Sequence, residues 1–260
     1  MKTRPDHSAF GLLCLVVTLL FAIMPARAEL IFADSFPYPA GNLDGKGPPP
    51  GSPPGQGKWM EANGSPQITP PTLRFRGIFS HGKSAYLVSP SSDGPDGDQA
   101  IASHRLVTAA DGIVWVGFLV RQAAGRQYPG GYAVVVLGNN VQDPTLSIGM
   151  LFYQNRYGLE NNTSGSSSQA LTDIAPSHRT LWLVTKLDFA IGEQYLWINP
   201  SPESEPDITQ ASAELPMTDE FADTGFADVQ LKVGWSGFAF QIDELRLATT
   251  FAEIVDPLSK

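Results

Sequence analysis

The stretch Leu181-Trp182-Leu183-Val184-Thr185-Lys186-Leu187-Asp188-Phe189, followed after Gly192 by Gln194-Tyr195-Leu196-Trp197-Ile198-Asn199, decides the class of fold. Apolar residues alternate along both runs and aromatic residues are frequent, the period-two pattern of half-buried strands. Gly192 between the runs predicts a hairpin, a short turn pairing Asp188 with Tyr195 and Lys186 with Trp197. One face then carries Leu181, Leu183, Leu187, Phe189, Leu196 and Ile198 and belongs to a core. The other presents Trp182, Val184, Lys186, Asp188, Tyr195, Trp197 and Asn199, aromatic rings interleaved with a cation, a carboxylate and an amide.

The same alternation recurs on both sides of this hairpin, interrupted by Gly, Pro, Asn and Ser clusters. It predicts strands over Leu30–Phe36, Leu73–Phe79, Ala85–Ser89, Ala100–Val107 and Ile113–Gln122. Further strands follow at Tyr132–Gly138, Leu146–Tyr153, Leu181–Phe189, Gln194–Asn199, Val229–Trp235 and Phe238–Leu247, with one short helix at Phe251–Val255. With 25 glycines and 22 prolines in 260 residues, a helical bundle is disfavoured. The pattern predicts an all-β protein, a two-sheet antiparallel β-sandwich without internal repeats. Trp115 and Trp235 fall in strands apolar enough to be core, and Trp59 should pin the Pro-rich loop Pro37–Gly57 to the body. Asn161–Gln169 reads as a mobile loop tip, and Ser201–Pro216 as an acidic connection. In the last strand, Phe238, Phe240 and Ile242 alternate inward, but Leu245 and Leu247 are out of step. A β-bulge near Asp243-Glu244 absorbs the extra residue, making that acidic pair either a structural corner or a ligand.

Residues 1–28 have the form of a secretory signal peptide. Lys2 and Arg4 precede an apolar run from Ala9 to Met24, and Ala26-Arg27-Ala28 supplies a small-x-small cleavage site. The run is short for a bilayer span, which takes about 20 residues. Cys14 lies within it, so the mature chain 29–260 would hold no cysteine and form a single exported domain. Losing Lys2, Arg4, Arg27 and Asp6 leaves 14 basic against 25 acidic side chains, a balance that repels nucleic acid. No later apolar stretch reaches membrane length, so no membrane association is expected after cleavage.

Four pieces, in order, resemble a LamG-like jelly roll of the concanavalin A-like lectin/glucanase superfamily, of the exported bacterial type. They are Ala33-Asp34-Ser35-Phe36-Pro37-Tyr38-Pro39-Ala40-Gly41, Gly112-Ile113-Val114-Trp115-Val116-Gly117-Phe118-Leu119-Val120-Arg121, Leu196-Trp197-Ile198-Asn199-Pro200 and Ile242-Asp243-Glu244-Leu245-Arg246-Leu247-Ala248-Thr249-Thr250-Phe251. The resemblance covers nearly all of residues 30–255. It implies a curved sandwich whose terminal strands lie side by side, in a superfamily holding sugar-binding modules, adhesion domains and hydrolases. Fold alone therefore leaves function open. The chain ends at Asp256-Pro257-Leu258-Ser259-Lys260, without the C-terminal sorting helix and basic tail of some relatives.

Catalytic motifs are missing. Retaining glucanases need carboxylates about 5 Å apart, which strand alternation supplies in a Glu-x-Asp-x-Glu run. This chain has no such run, no Gly-x-Ser-x-Gly and no zinc-ligand spacing among its histidines. The expectation is a non-catalytic carbohydrate-binding or cell-surface interaction domain. Trp182, Tyr195 and Trp197 would stack on a glycan while Lys186, Asp188 and Asn199 orient it. The alternative is a structural or adhesive protein with a cell-surface protein partner, and a third is a diverged polysaccharide hydrolase or lyase. Calcium has two candidate sites. Asp93, Asp96 and Asp98 lie on a Gly-rich loop, and Asp34, on the parity of Phe32 and Phe36, could meet Asp243 across the terminal strands. Otherwise Asp34 bonds Arg246 or backbone amides.

Overall fold

A computed structural model describes residues 29–49, 52–54, 56–78, 80–89, 99–123, 131–139, 142–163, 165–235 and 239–256. In chain order the first strands are β1 (Leu30–Asp34), β2 (Gly41–Asn42), β3 (Met60–Asn63), β4 (Gln67–Thr69) and β5 (Ser84–Val88). Then come β6 (Gln99–Ala110), β7 (Ile113–Gln122), β8 (Tyr132–Asn139), β9 (Gln142–Met150), β10 (Tyr157–Thr163) and β11 (Ser166–Leu171). The last are β12 (Leu181–Asp188), β13 (Glu193–Ile198), β14 (Ala213–Pro216), β15 (Phe226–Gly234) and β16 (Ala239–Ala248). Two short α-helices, α1 (Asp219–Thr224) and α2 (Phe251–Val255), and a single 3-10 turn at Ile208–Gln210 complete the described elements.

All pairings between these strands are antiparallel, and they form two sheets. The nine-stranded sheet runs β14-β13-β12-β7-β16-β5-β4-β2, with β1 added on β16. The seven-stranded sheet runs β11-β10-β9-β8-β15-β6-β3. The first and last strands therefore lie side by side, Leu30 opposite Ala248 and Asp34 opposite Leu245. Between the sheets is the main core. Val114, Val116, Phe118, Leu183, Leu187, Leu196, Phe240 and Leu247 meet Val135, Leu137, Ile148, Leu159, Leu231 and Val233, all buried. The Asn161 amide closes one side of the sandwich, accepting from Gln194 Nε2 at 2.7 Å and donating to the Pro216 carbonyl at 2.7 Å.

The bulge in β16 is present, with the register slipping between Asp243 and Arg246 and Glu244 at φ 49°. At this point the partner of β16 opposite β7 changes from β5 to β1. The central hairpin pairs Asp188 with Glu193, Lys186 with Tyr195 and Val184 with Trp197. This is two residues tighter than the pairing expected from sequence, because Phe189–Gly192 forms a four-residue loop with Gly192 at φ 69°. A shift of two keeps every side chain on its expected face.

Two other expectations are corrected. Leu73–Phe79 is not a strand: its described residues form a turn with a single bridge, Phe75 to Ile78, around Gly77 at φ 83°. The Asn161–Gln169 segment is no loose tip but the end of the β10–β11 hairpin, six residues in unbroken register. The Pro-rich segment is anchored as expected, with Trp59 fully buried against Phe32, Phe36 and His104.

Candidate functional site

The outer face of the nine-stranded sheet carries the aromatic residues expected to stack on a sugar, and it is covered. Trp182 is 1% exposed, Trp197 3% and Tyr195 8%. With Trp115, Leu119 and Val184 they form a second apolar core, roofed by Phe251 and Ile254 of α2 and by Leu73 and Ile78. Trp115 stacks on Trp197 at 5.8 Å between ring centres and meets Phe251 edge-on at 5.3 Å. Trp182 packs between Phe251 and Phe75, each at 5.9 Å.

The polar members of the expected set are engaged in closing that cover. Lys186 Nζ sits 5.2 Å from the centre of a Trp115 ring and 3.3 Å from Glu205 on the overlying loop. The indole N–H of Trp197 donates to the Asp207 carbonyl at 3.0 Å, and Asn199 Oδ1 accepts from the Trp182 backbone N–H at 2.8 Å. Asp188 is half-buried at the sheet end, opposite Ile113 and Glu193. The expected platform Trp182, Lys186, Asp188, Tyr195, Trp197 and Asn199 is thus a packing layer, because an alternating strand with two apolar faces needs a third layer over it.

The carboxylates of the terminal strands are likewise taken up by the chain. Asp34 accepts from the Phe36 backbone N–H, the Tyr38 hydroxyl and the Trp59 indole N–H, all at 2.7 Å. Asp243 accepts from Thr72 Oγ1 at 2.8 Å and the Leu73 and Glu244 backbone N–H groups at 2.7 and 2.8 Å. Each carboxylate is engaged by its own set of donors from the chain, and Asp243-Glu244 is a corner that ties down the 72–81 segment. Arg246 pairs with Glu244 at 2.6 Å and donates to the carbonyls of Ile254 and Val255 at 2.9 and 2.7 Å, which caps α2. Burial pushes Asp34 up to about 6 and Asp243 up to about 8, against the hydrogen bonds they accept. Among the described residues no group of three or more His, Cys, Asp or Glu side chains could hold a metal. Asp93, Asp96 and Asp98 lie outside the described residues.

The outer face of the seven-stranded sheet is different: it holds an open groove of about 460 Å³ that crosses β10, β9, β8, β15 and β6. Its floor is apolar, built from buried Val134, Val136 and Leu151 with Tyr132 packed beside them. Gly149 and Gly158 face each other in the register, and Leu151 Cδ1 packs against the space beside Gly158. Along the walls stand Gln99, Gln230, Asn162, Thr145 and Ser147, with one carboxylate, Glu160, and one cation, Lys232.

One end of the groove is aromatic. The Tyr132 ring lies across Gly234, where any Cβ would fall 2.3 Å from its hydroxyl oxygen. That hydroxyl is buried without a hydrogen-bond partner among the described residues, and burial raises its pKa, so it stays protonated and able to donate. Lys232 Nζ sits 5.7 Å from the centre of the same ring, a cation–π contact. Phe152 bridges Tyr132 and Trp235 at 5.8 and 5.2 Å, and Tyr153 packs on Trp235 at 6.0 Å. Trp235 is 40% exposed and Tyr153 60%, and both have left-handed backbone, φ 71° and 57°. Such a conformation costs a non-glycine residue about 1 kcal/mol or more, and it turns both rings out of the plane of their strands. Trp235, expected in the core, is instead the one tryptophan at the surface; the other four are at most 3% exposed. The missed signal was its place directly after Gly234, where a strand ends and parity stops predicting direction.

No protein-family model and no curated protein matches the chain. Solved structures do. The T. cruzi calreticulin globular domain superposes with TM-score 0.56 at 12% identity, over 88% of this chain and 92% of that one. An endo-β-1,4-glucuronan lyase from Trichoderma reesei gives TM-score 0.52 at 10% identity, over 84% and 98%. A structure of botulinum neurotoxin type C, a toxin that enters cells in dependence upon interaction with two ganglioside molecules, gives 0.52 at 12% identity. That match covers 85% of this chain and 51% of the toxin chain, so the present chain spans about half of it. At these identities the likeness is one of fold alone, an antiparallel two-sheet β-sandwich.

Proposed function

We propose that this chain is an exported, non-catalytic carbohydrate-binding protein of LamG-like type, and that its ligand lies in the groove over the seven-stranded sheet. The observation that carries this reading is the pairing, in one open groove, of exposed Trp235 with a row of amide and hydroxyl side chains. Covering one apolar face of a sugar ring with an indole removes roughly 60–80 Å² from water, a gross gain of about 1.5–2 kcal/mol. The amides fix orientation, since each can donate to one sugar hydroxyl and accept from another. Ganglioside interaction in a protein of the same fold is in keeping with this reading. The non-catalytic part rests on the described lining residues, among which Glu160 is the one carboxylate, whereas glycosidases act through two.

The five tryptophans make the test direct. Because four are buried, a glycan entering the groove should perturb the emission of Trp235 alone. A glycan-array screen of the 29–260 chain, followed by fluorescence titration of each hit, should give a shift that disappears in Trp235→Gly. A hit whose signal persists in that variant would place the ligand elsewhere, and a blank array would favour a protein partner. Export is checked separately: the protein recovered from outside the cytoplasm should begin at Glu29 by intact mass.

A further inference from the structure

The groove's charge pattern says which carbohydrates it suits. Resting on the carbohydrate reading above, we propose that the groove takes uncharged polysaccharide and discriminates against polymers of uronic acids.

Three observations lead there. First, the groove is electrically balanced: its described lining holds one cation, Lys232, and one carboxylate, Glu160. Glu160 already accepts from Gln169 Nε2 at 2.6 Å, and the Lys232 ammonium is turned over the Tyr132 ring. One row further along the sheet, Arg105 and Asp228 stand directly opposite each other, again one charge of each sign. Second, no arginine lines the groove among the described residues. The planar guanidinium fork is the group that matches a carboxylate in two parallel hydrogen bonds, and a site for a uronic acid without one forgoes that geometry. Third, the side chains that are present are those of a neutral site. Gln99, Gln230 and Asn162 both donate and accept, as do Thr145, Ser147 and Thr163. Sugar hydroxyls also do both, whereas the carboxylate of a uronic acid only accepts, so an acceptor atom facing it goes unmatched.

The rest of the molecule adds to the effect. The 29–260 chain carries 14 basic against 25 acidic side chains, so a polyanion is repelled as it approaches, over a range of about 8 Å at physiological ionic strength. A neutral chain meets no such barrier, and the affinity it finds comes from stacking on Trp235 and from the amides.

The experiment uses pairs of polymers that share a backbone and differ in charge: fully methyl-esterified against de-esterified polygalacturonate, and hydroxyethyl against carboxymethyl cellulose. Galactomannan, xyloglucan and β-1,3-glucan extend the neutral set, and alginate and glucuronan the anionic one. Affinity electrophoresis and calorimetry are run on the wild type and on Trp235→Gly, with circular dichroism confirming that the variant is folded. At least one neutral polymer should bind and lose about tenfold or more in the variant, while carboxylated counterparts bind at least about tenfold more weakly at low salt. Anionic polymers binding as well or better, still through Trp235, would overturn the discrimination and leave the carbohydrate reading standing. Failure of every polymer, neutral and anionic, would overturn both.

Discussion

The two outer faces of this sandwich invert what their sequences suggest. The face of the nine-stranded sheet is rich in indoles and reads like a sugar platform, yet it is a second core. The face of the seven-stranded sheet shows Val, Gln, Ser, Gly and Lys in its strands and reads like an ordinary solvated surface, yet it holds the groove. The difference lies in what is laid over each. Phe251 and Ile254 of α2, Leu73, Ile78 and the loop carrying Glu205 and Asp207 cover the first face. Over the second, among the described residues, Leu151 lies against the apolar floor and Phe152 joins the aromatic end of the groove, and neither forms a lid. Aromatic richness marks where a third layer packs, and a few rings beside open amides mark where a ligand can.

The strongest way to break this comparison is to cut into the covered face. Trp182→Ala should cost about 3–5 kcal/mol of stability in urea unfolding, the price of a large cavity in a core, and leave glycan binding by the folded fraction unchanged. Loss of glycan affinity at unchanged stability would reverse the assignment of the two faces. Arg246→Ala attacks the same cover from beneath, stranding the buried Glu244 carboxylate and releasing the carbonyls that end α2. A loss of about 3–5 kcal/mol is expected, seen as a lower unfolding midpoint.

The pH dependence sharpens the comparison, since the corner beneath the cover holds ionisable groups displaced by burial. Asp34 and Asp243 have pKa values raised to about 6 and about 8, above those of an unfolded chain. Protonation therefore favours the folded state. Their contribution is complete below the unfolded value near 4 and is lost as pH rises through 6 and then 8, to a total on the order of a few kcal/mol. The urea midpoint should be higher at pH 5 than at pH 8; a midpoint that climbs over this interval would show that the accepted hydrogen bonds outweigh burial.

On the open face the effects on stability are smaller. Trp235→Gly should stay within about 1 kcal/mol of the wild type, because glycine accepts the left-handed backbone and little apolar area is lost from the core. Smallest of all is the expected response to calcium. It now rests on Asp93, Asp96 and Asp98, since Asp34 and Asp243 are saturated by donors from the chain. A melting temperature that neither millimolar calcium nor a chelator moves would remove the ion.

Much of the fold was legible. β7, β12, β13 and β15 follow the alternation, the bulge follows from one missed beat between Ile242 and Leu245, and α2 occupies the predicted Phe251–Val255. The β10–β11 hairpin was not legible, because Glu160, Asn161, Asn162 and the serines of 166–168 have low strand propensity; cross-strand pairing with β9 and the buried Asn161 bonds hold it. The groove was hidden for a related reason. Its lining comes from five strands spread over residues 99–235, none of which carries a motif.

The sequence by itself determined that the chain is a β-sandwich and which side chains share a face of each strand, because alternation is a local property of the backbone. Only the tertiary structure decided which outer face is covered. That depends on where α2, the 72–78 turn and the 201–212 loop come to rest on the sheet, and a period of two carries no information about a third layer.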